Sequence, residues 1–230
     1  MKWFVYSKAG GTGKSTFAAA LAVAAAQQGK RTVLLDASAG SRIADEMLGV
    51  SGVDVLDLAD ALSGETDVSS ACYAVPELPD LRYALVSHED ADKLENYAEE
   101  IGMLEADCEL LIIDTPTEDG GFRRLPFGEN DRVFLMARPD ARSLNRLSGL
   151  CSELEQHAVD VTLVLNDTQG LAKERQACSR EEASAMFEKK PLVVIERDAS
   201  LPKSAYTIRK LMHTRPGKAA AQAVSDLLRP

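Results

Sequence analysis

The stretch Ser7-Lys8-Ala9-Gly10-Gly11-Thr12-Gly13-Lys14-Ser15-Thr16 constrains this chain more than any other. It lies between a short apolar run, Lys2–Tyr6, and an alanine-rich segment, Lys14–Gln28, so the local order reads strand, glycine loop, helix. Gly10, Gly11 and Gly13 let the backbone turn its N–H groups toward an anion, where Cβ atoms would obstruct. A helix beginning near Lys14 adds the positive end of its dipole. In such a loop Lys14 reaches the β- and γ-phosphates and the Ser15 hydroxyl binds Mg²⁺, with Thr12 and Thr16 beside them. A glycine turn with no ligand is the plain alternative, and the strand-loop-helix setting argues against it.

The rest of the chain alternates in the same way. Apolar runs at Thr32–Leu35, Arg82–Val86, Leu110–Ile113, Arg132–Met136, Val161–Leu165 and Leu192–Ile195 read as strands. They are continuously apolar, as expected of a sheet covered on both faces. Helical patterns fall at Ile43–Leu48, Val55–Ser63, Ala91–Ile101, Ser143–His157 and Lys218–Leu228, and Thr168–Arg180 reads as a polar loop. Together these predict one α/β domain over residues 1–230, a doubly wound, mostly parallel sheet with helices on both faces.

The glycine loop departs from the strict pattern G-x-x-x-x-G-K-[ST], because Lys8 stands where the first glycine is wanted. In this form it resembles the deviant Walker A sequence of the MinD/ParA family, S-G-K-G-G-x-G-K-[ST]-T. The likeness extends along the chain. Val33-Leu34-Leu35-Asp36-Ala37 resembles the family's second strand, Val53–Gly64 a following MinD helix, and Leu110–Pro116 the Walker B strand with its Asp114. Leu163-Val164-Leu165-Asn166 resembles the strand whose terminal Asn reads adenine, and Val193–Pro202 the later segment near the base. The resemblance implies a P-loop fold that binds ATP or ADP with Mg²⁺ and forms a homodimer when ATP is bound. Asp36 and Asp114 would then hold Mg²⁺ mainly through its waters, which suits an ion that takes few direct carboxylates. Taken alone, each aspartate reads more often as a helix cap or turn residue, and Asn166 as a turn.

Three departures touch the γ-phosphate. The family's signature lysine falls on Ala9, with Lys8 one place early as a possible substitute. The aspartate that the family carries two residues after Asp36 is Ser38, which can hydrogen-bond a water but cannot act as a carboxylate base. The switch glycine aligns with Glu118, unless Gly120 or Gly121 takes its part. The expectation is a protein that binds nucleotide but hydrolyses ATP slowly or not at all, with Lys14 as its catalytic lysine.

Charge and composition narrow the partners. Net charge is −10, which opposes binding to a phosphate backbone, although Arg123, Arg124, Arg132, Arg138, Arg142 and Arg146 crowd one stretch. Solvated loop and helix-end charges are the plainer reading of that group, and a solvated face that of the acidic stretch Glu89–Glu105. Cys72, Cys108, Cys151 and Cys178 are scattered without C-x-x-C spacing, which suits reduced thiols and a cytoplasmic protein. No signal-peptide pattern is seen, and the run Phe17–Ala26 is too short and alanine-rich to span a bilayer. MinD proteins end in a basic amphipathic helix, whereas Lys218–Leu228 carries alanines in place of bulky apolar residues. The chain is therefore expected to lack a direct membrane anchor and to reach a membrane or cell pole only through a protein partner. The leading expectation is a nucleotide-dependent spatial regulator in cell division. The alternatives are a pilus-assembly localisation scaffold (TadZ/CpaE-like) and a metal-cofactor maturation ATPase.

Overall fold

The computed structural model describes all residues except 39–42, 52–55, 87–90, 118–123, 158, 171–176, 189, 202–206 and 229–230. Its centre is set by three strands that are buried at every position: β1 (Lys2–Tyr6), β2 (Thr32–Asp36) and β5 (Leu110–Asp114). Strands apolar on both faces must be covered on both faces, and they are. Around them lie β3 (Cys72–Val75), β4 (Leu78–Leu85), β6 (Arg132–Ala137), β7 (Asp160–Asn166) and β8 (Leu192–Ile195). The sheet order is β3-β4-β2-β5-β1-β6-β7-β8, and every pair is parallel except β3 with β4.

Two layers of helix complete the fold. Helix α1 (Lys14–Gln27), α2 (Ile43–Leu48), α7 (Ile208–His213) and α8 (Arg215–Leu227) share one core with Trp3, Val5, Leu34, Ile112 and Phe134. On the other face, α3 (Leu58–Ser63), α4 (Ala98–Ala106), α5 (Ala141–Gln156) and α6 (Arg180–Met186) meet Phe4, Val33, Leu35, Ile113 and Val133. Helix α1 is buried from Phe17 to Ala26, so its alanines are packing residues that let the adjacent α8 approach closely. Phe17 and Trp3 both pack edge-on against Phe134, with ring centroids 5.7 and 5.5 Å apart. Such pairs contribute about 0.5–1.5 kcal/mol each beyond area burial.

Each predicted strand is present, with ends shifted by a few residues, and the sheet is doubly wound as expected. Four differences have local causes. Strand β3 pairs antiparallel with β4, through Arg82, Tyr83 and Ala84 and then Leu78, with a shift in register at Ala74/Val75. Only Val75 of β3 is buried, and β4 begins Leu78-Pro79-Asp80, so β3 and the start of β4 lack the apolar run of a central strand. The pattern over Ala91–Ile101 splits into a 3-10 segment, Ala91–Tyr97, kinked at the non-helical Lys93, and then α4. The predicted polar loop ends in a helix: Ser179 and Glu182 form a capping box that starts α6 at Arg180. Helix α8 starts three residues before its expected Lys218, capped by Thr214, after the short α7 that sequence patterning missed.

Candidate nucleotide site

All the parallel strands end on one edge of the sheet, and the candidate residues collect there, as the switch of strand order on either side of β1 requires. Strand β1 hands the chain to the glycine loop at Ser7. The Ser7 hydroxyl accepts from the Ala9 N–H at 3.1 Å and lies 3.0 Å from the Ala9 carbonyl, which closes the first turn. Gly11 and Gly13 then take left-handed backbone angles, φ 69° and 85°, where a side chain would be strained. Gly10 does not need a positive φ, and a Cβ there would meet no protein atom. Gly13 caps α1, so Lys14 and Ser15 open the helix with their amides facing the loop's concave side.

The loop floors a cleft of about 430 Å³ that also touches Ser38 and Thr117 on one side of β1 and Asn166, Thr168, Leu201 and Pro216 on the other. Thr16 and Ala9 line it too, whereas Lys8 is exposed and lies outside its lining. Residues Glu118, Gly120 and Gly121 fall outside the described residues.

Two carboxylates face each other beneath the loop. Asp36 and Asp114 end β2 and β5 in register with one another, and both are buried. Asp36 is held by the protein: its oxygens accept from the Ser38 N–H at 2.9 Å and the Tyr83 hydroxyl at 3.1 Å. Asp114 is different. Among the described residues neither of its oxygens accepts a hydrogen bond, and it forms an ion pair with the Lys14 ammonium, 3.7 Å away. Burial pushes its carboxyl up to about 7; the nearby Lys14 charge opposes that shift and Asp36 adds to it. A fully buried carboxylate with unsatisfied oxygens, next to a second carboxylate and a serine hydroxyl, has the chemistry of a hard divalent cation site. The residues present therefore fit Mg²⁺, for which Ser15, Asp36 and Asp114 would be the donors.

Asn166 ends β7 and turns its side chain to the loop. Its amide donates to the Thr12 carbonyl at 2.9 Å, and the Thr168 hydroxyl donates to the Gly11 carbonyl at 3.0 Å. The structure thus brings together the nominated residues of the loop, Lys8 excepted, with Asp36, Asp114 and Asn166. Sequence reasoning missed Tyr83, Thr168 and Pro216, whereas Leu201 lies in the Val193–Pro202 segment expected near the base. Strand parity points to the first of these: Tyr83 pairs with Leu34, two residues before Asp36 and on the same face. Pro216 is brought in by the tertiary fold and carries no local signal.

The arginine group does not form one surface. Arg132 opens β6 and pairs with Asp160 at 2.7 Å, while Arg138 lies past that strand's other end, roughly 20 Å away along it. Arg123 lies outside the described residues.

A strand, a left-handed glycine loop, a helix and paired acidic strand ends define a P-loop nucleotide-binding fold. A family model of the CobQ/CobB/MinD/ParA nucleotide-binding domain matches residues 3–210, and the chain belongs to that family. An ATP-binding protein of Methanocaldococcus jannaschii is 27% identical over 228 residues, spanning 97% of this chain and 84% of that one. The septum site-determining protein MinD of Escherichia coli is 26% identical over 244 residues, covering 97% and 89%. Among solved structures, MinD of Pyrococcus horikoshii complexed with Mg-ADP superposes with a TM-score of 0.80 at 20% identity, covering 99% of this chain and 96% of that one. MinD in the MinC:MinD complex of Aquifex aeolicus gives 0.75 at 17% identity, covering 100% and 97%. Among the described residues no helix is long and apolar enough to cross a membrane.

Proposed function

We propose that this chain is an ATP- and ADP-binding switch that acts as a spatial regulator in cell division or polar localisation, with weak or absent ATP hydrolysis. The observation that carries the reading is the pairing of Lys14 with the unsatisfied Asp114 beneath a left-handed glycine loop. The loop amides and Lys14 would hold the β- and γ-phosphates. Ser15, Asp36 and Asp114 would hold Mg²⁺, which when bound neutralises phosphate charge. Lys14 then leaves Asp114 for the phosphates, so ligand binding trades one ion pair for a stronger set.

What borders the phosphate end supports the weak-hydrolysis reading. Ser38 lines the cleft where the family's resemblance places a carboxylate, and Lys8 lies outside the lining while Ala9 is inside it. A hydroxyl orients a water without accepting its proton at neutral pH. This favours a protein that dimerises around nucleotide and presents a surface to a protein partner, and a localisation scaffold is the second reading for the same reason. A cytoplasmic location with recruitment by that partner goes with both.

The test is nucleotide binding and phosphate release under saturating Mg·ATP, with Lys14→Ala as the control. Tight binding lost in Lys14→Ala, with turnover far below the 1–100 per second typical of kinases, is the expected result. Wild-type protein that binds no adenine nucleotide would sink the reading.

A further inference from the structure

The two hydrogen bonds from the end of β7 to the glycine loop go to carbonyls on successive residues. Thr168 Oγ1 donates to the Gly11 carbonyl at 3.0 Å and Asn166 Nδ2 to the Thr12 carbonyl at 2.9 Å. In a trans peptide the C=O and the following N–H point in opposite directions. Pulling the Gly11 and Thr12 carbonyls toward β7 therefore turns the Thr12 and Gly13 amide protons away from it, toward the concave side of the loop. We propose that Asn166 and Thr168 form a strap that presets the loop's amides for phosphate, making both of them positioning residues for the phosphates rather than for the base alone. The inference rests on the nucleotide-binding reading above.

The packing agrees. A Cβ on Gly13 would lie 2.5 Å from Asn166 Nδ2, so the amide occupies space that only glycine leaves free. Asn166 is buried, which locks its side chain in this orientation. Its Nδ2 has a second proton and its Oδ1 can still accept, and the residue also lines the cleft. One amide can thus hold the loop and meet a base at once, so phosphate and base binding share a residue. Thr168 has the narrower task, because its hydroxyl serves the loop carbonyl.

Pyrophosphate separates the strap from base reading, since it has no base. Calorimetric affinities for pyrophosphate and ADP, both with Mg²⁺, are compared in wild type, Thr168→Val, Thr168→Ser and Asn166→Asp. Thr168→Val keeps the shape and removes the donor, and should weaken both ligands by the same factor, about five-fold. Thr168→Ser should restore both. Asn166→Asp cannot donate to the Thr12 carbonyl, and should weaken pyrophosphate as well as ADP. Unchanged pyrophosphate affinity in Thr168→Val, or loss confined to ADP in Asn166→Asp, would overturn the strap. So would wild-type protein that binds ADP but not pyrophosphate, because a loop held ready by the strap needs no base. Failure of wild type to bind either ligand would instead remove the nucleotide-binding reading, and the strap with it.

Discussion

The Lys14 ammonium sits 3.7 Å from Asp114 Oδ1, and that carboxylate accepts no hydrogen bond from the described residues. Each group is the other's main compensation in a site shielded from water. Without ligand, the arrangement leaves a buried charge under-satisfied, which is costly for stability and useful for binding.

A pH dependence follows from Asp114. Its folded carboxyl is raised from 3.8 to about 7, so between those values the folded state holds a proton that the unfolded state has lost. Stability of the ligand-free protein should therefore fall as pH rises through that window, by at most about 1.4 kcal/mol per pH unit, and level off above it. Urea unfolding at pH 5, 6, 7 and 8 measures this. Asp114→Asn should flatten the profile, and Mg·ADP should oppose the loss at the upper end. A wild-type profile that is flat or rising from pH 5 to 7 would refute the assignment.

Tyr83 should matter to the site through Asp36. Its buried hydroxyl donates to Asp36 Oδ2, so Tyr83→Phe leaves the ring's packing intact and frees one carboxylate oxygen. The expected stability loss is about 1 kcal/mol, the net worth of one hydrogen bond. Mg²⁺-dependent nucleotide affinity should drop several-fold while Mg²⁺-free affinity holds. Equal loss with and without Mg²⁺ would show that Tyr83 acts on folding alone.

At the opposite edge of the sheet, Asp131 provides a control far from the cleft. It accepts from the Gly128 N–H at 2.8 Å and pairs with the buried Lys2 ammonium at 2.9 Å. Asp131→Ala should cost about 3–5 kcal/mol, because a buried ammonium is left with only the partly exposed Glu105. Nucleotide affinity of the fraction that remains folded should not change. Calorimetric unfolding and binding, measured on the same sample, separate the two effects.

The order of legibility follows the range of the physics involved. Gly11, Gly13 and Lys14 announce themselves because the loop is local: conformation, spacing and charge lie within a few residues. Asp36 and Asp114 were legible as strand ends, since continuous apolar runs locate β2 and β5 and the sheet brings their ends together. Thr168 and Pro216 were not, because a threonine in a polar loop and a proline near a helix start look the same with or without a cleft nearby. Strand β3 escaped for another reason: an exposed edge strand has no need of the apolar pattern that marks a buried one.

The strongest test of the slow-hydrolysis reading is a gain of function. Ser38 lines the cleft, and its N–H donates to Asp36 Oδ1, so the backbone at this position is already fixed beside the candidate metal ligands. A carboxylate placed there would have a defined origin and a short reach toward a water at the γ-phosphate. Ala9, also in the lining, is the matching position for a lysine. We expect Ser38→Asp alone to raise ATP turnover by about ten-fold or more, the low end of general-base contributions, and Ala9→Lys with Ser38→Asp to raise it further. Single-turnover phosphate release measures both. If the double variant binds ATP as wild type does yet turns over no faster, residues 118–121 rather than positions 9 and 38 set the rate. If wild type already hydrolyses ATP at the rate of the double variant, the slow-hydrolysis reading is wrong.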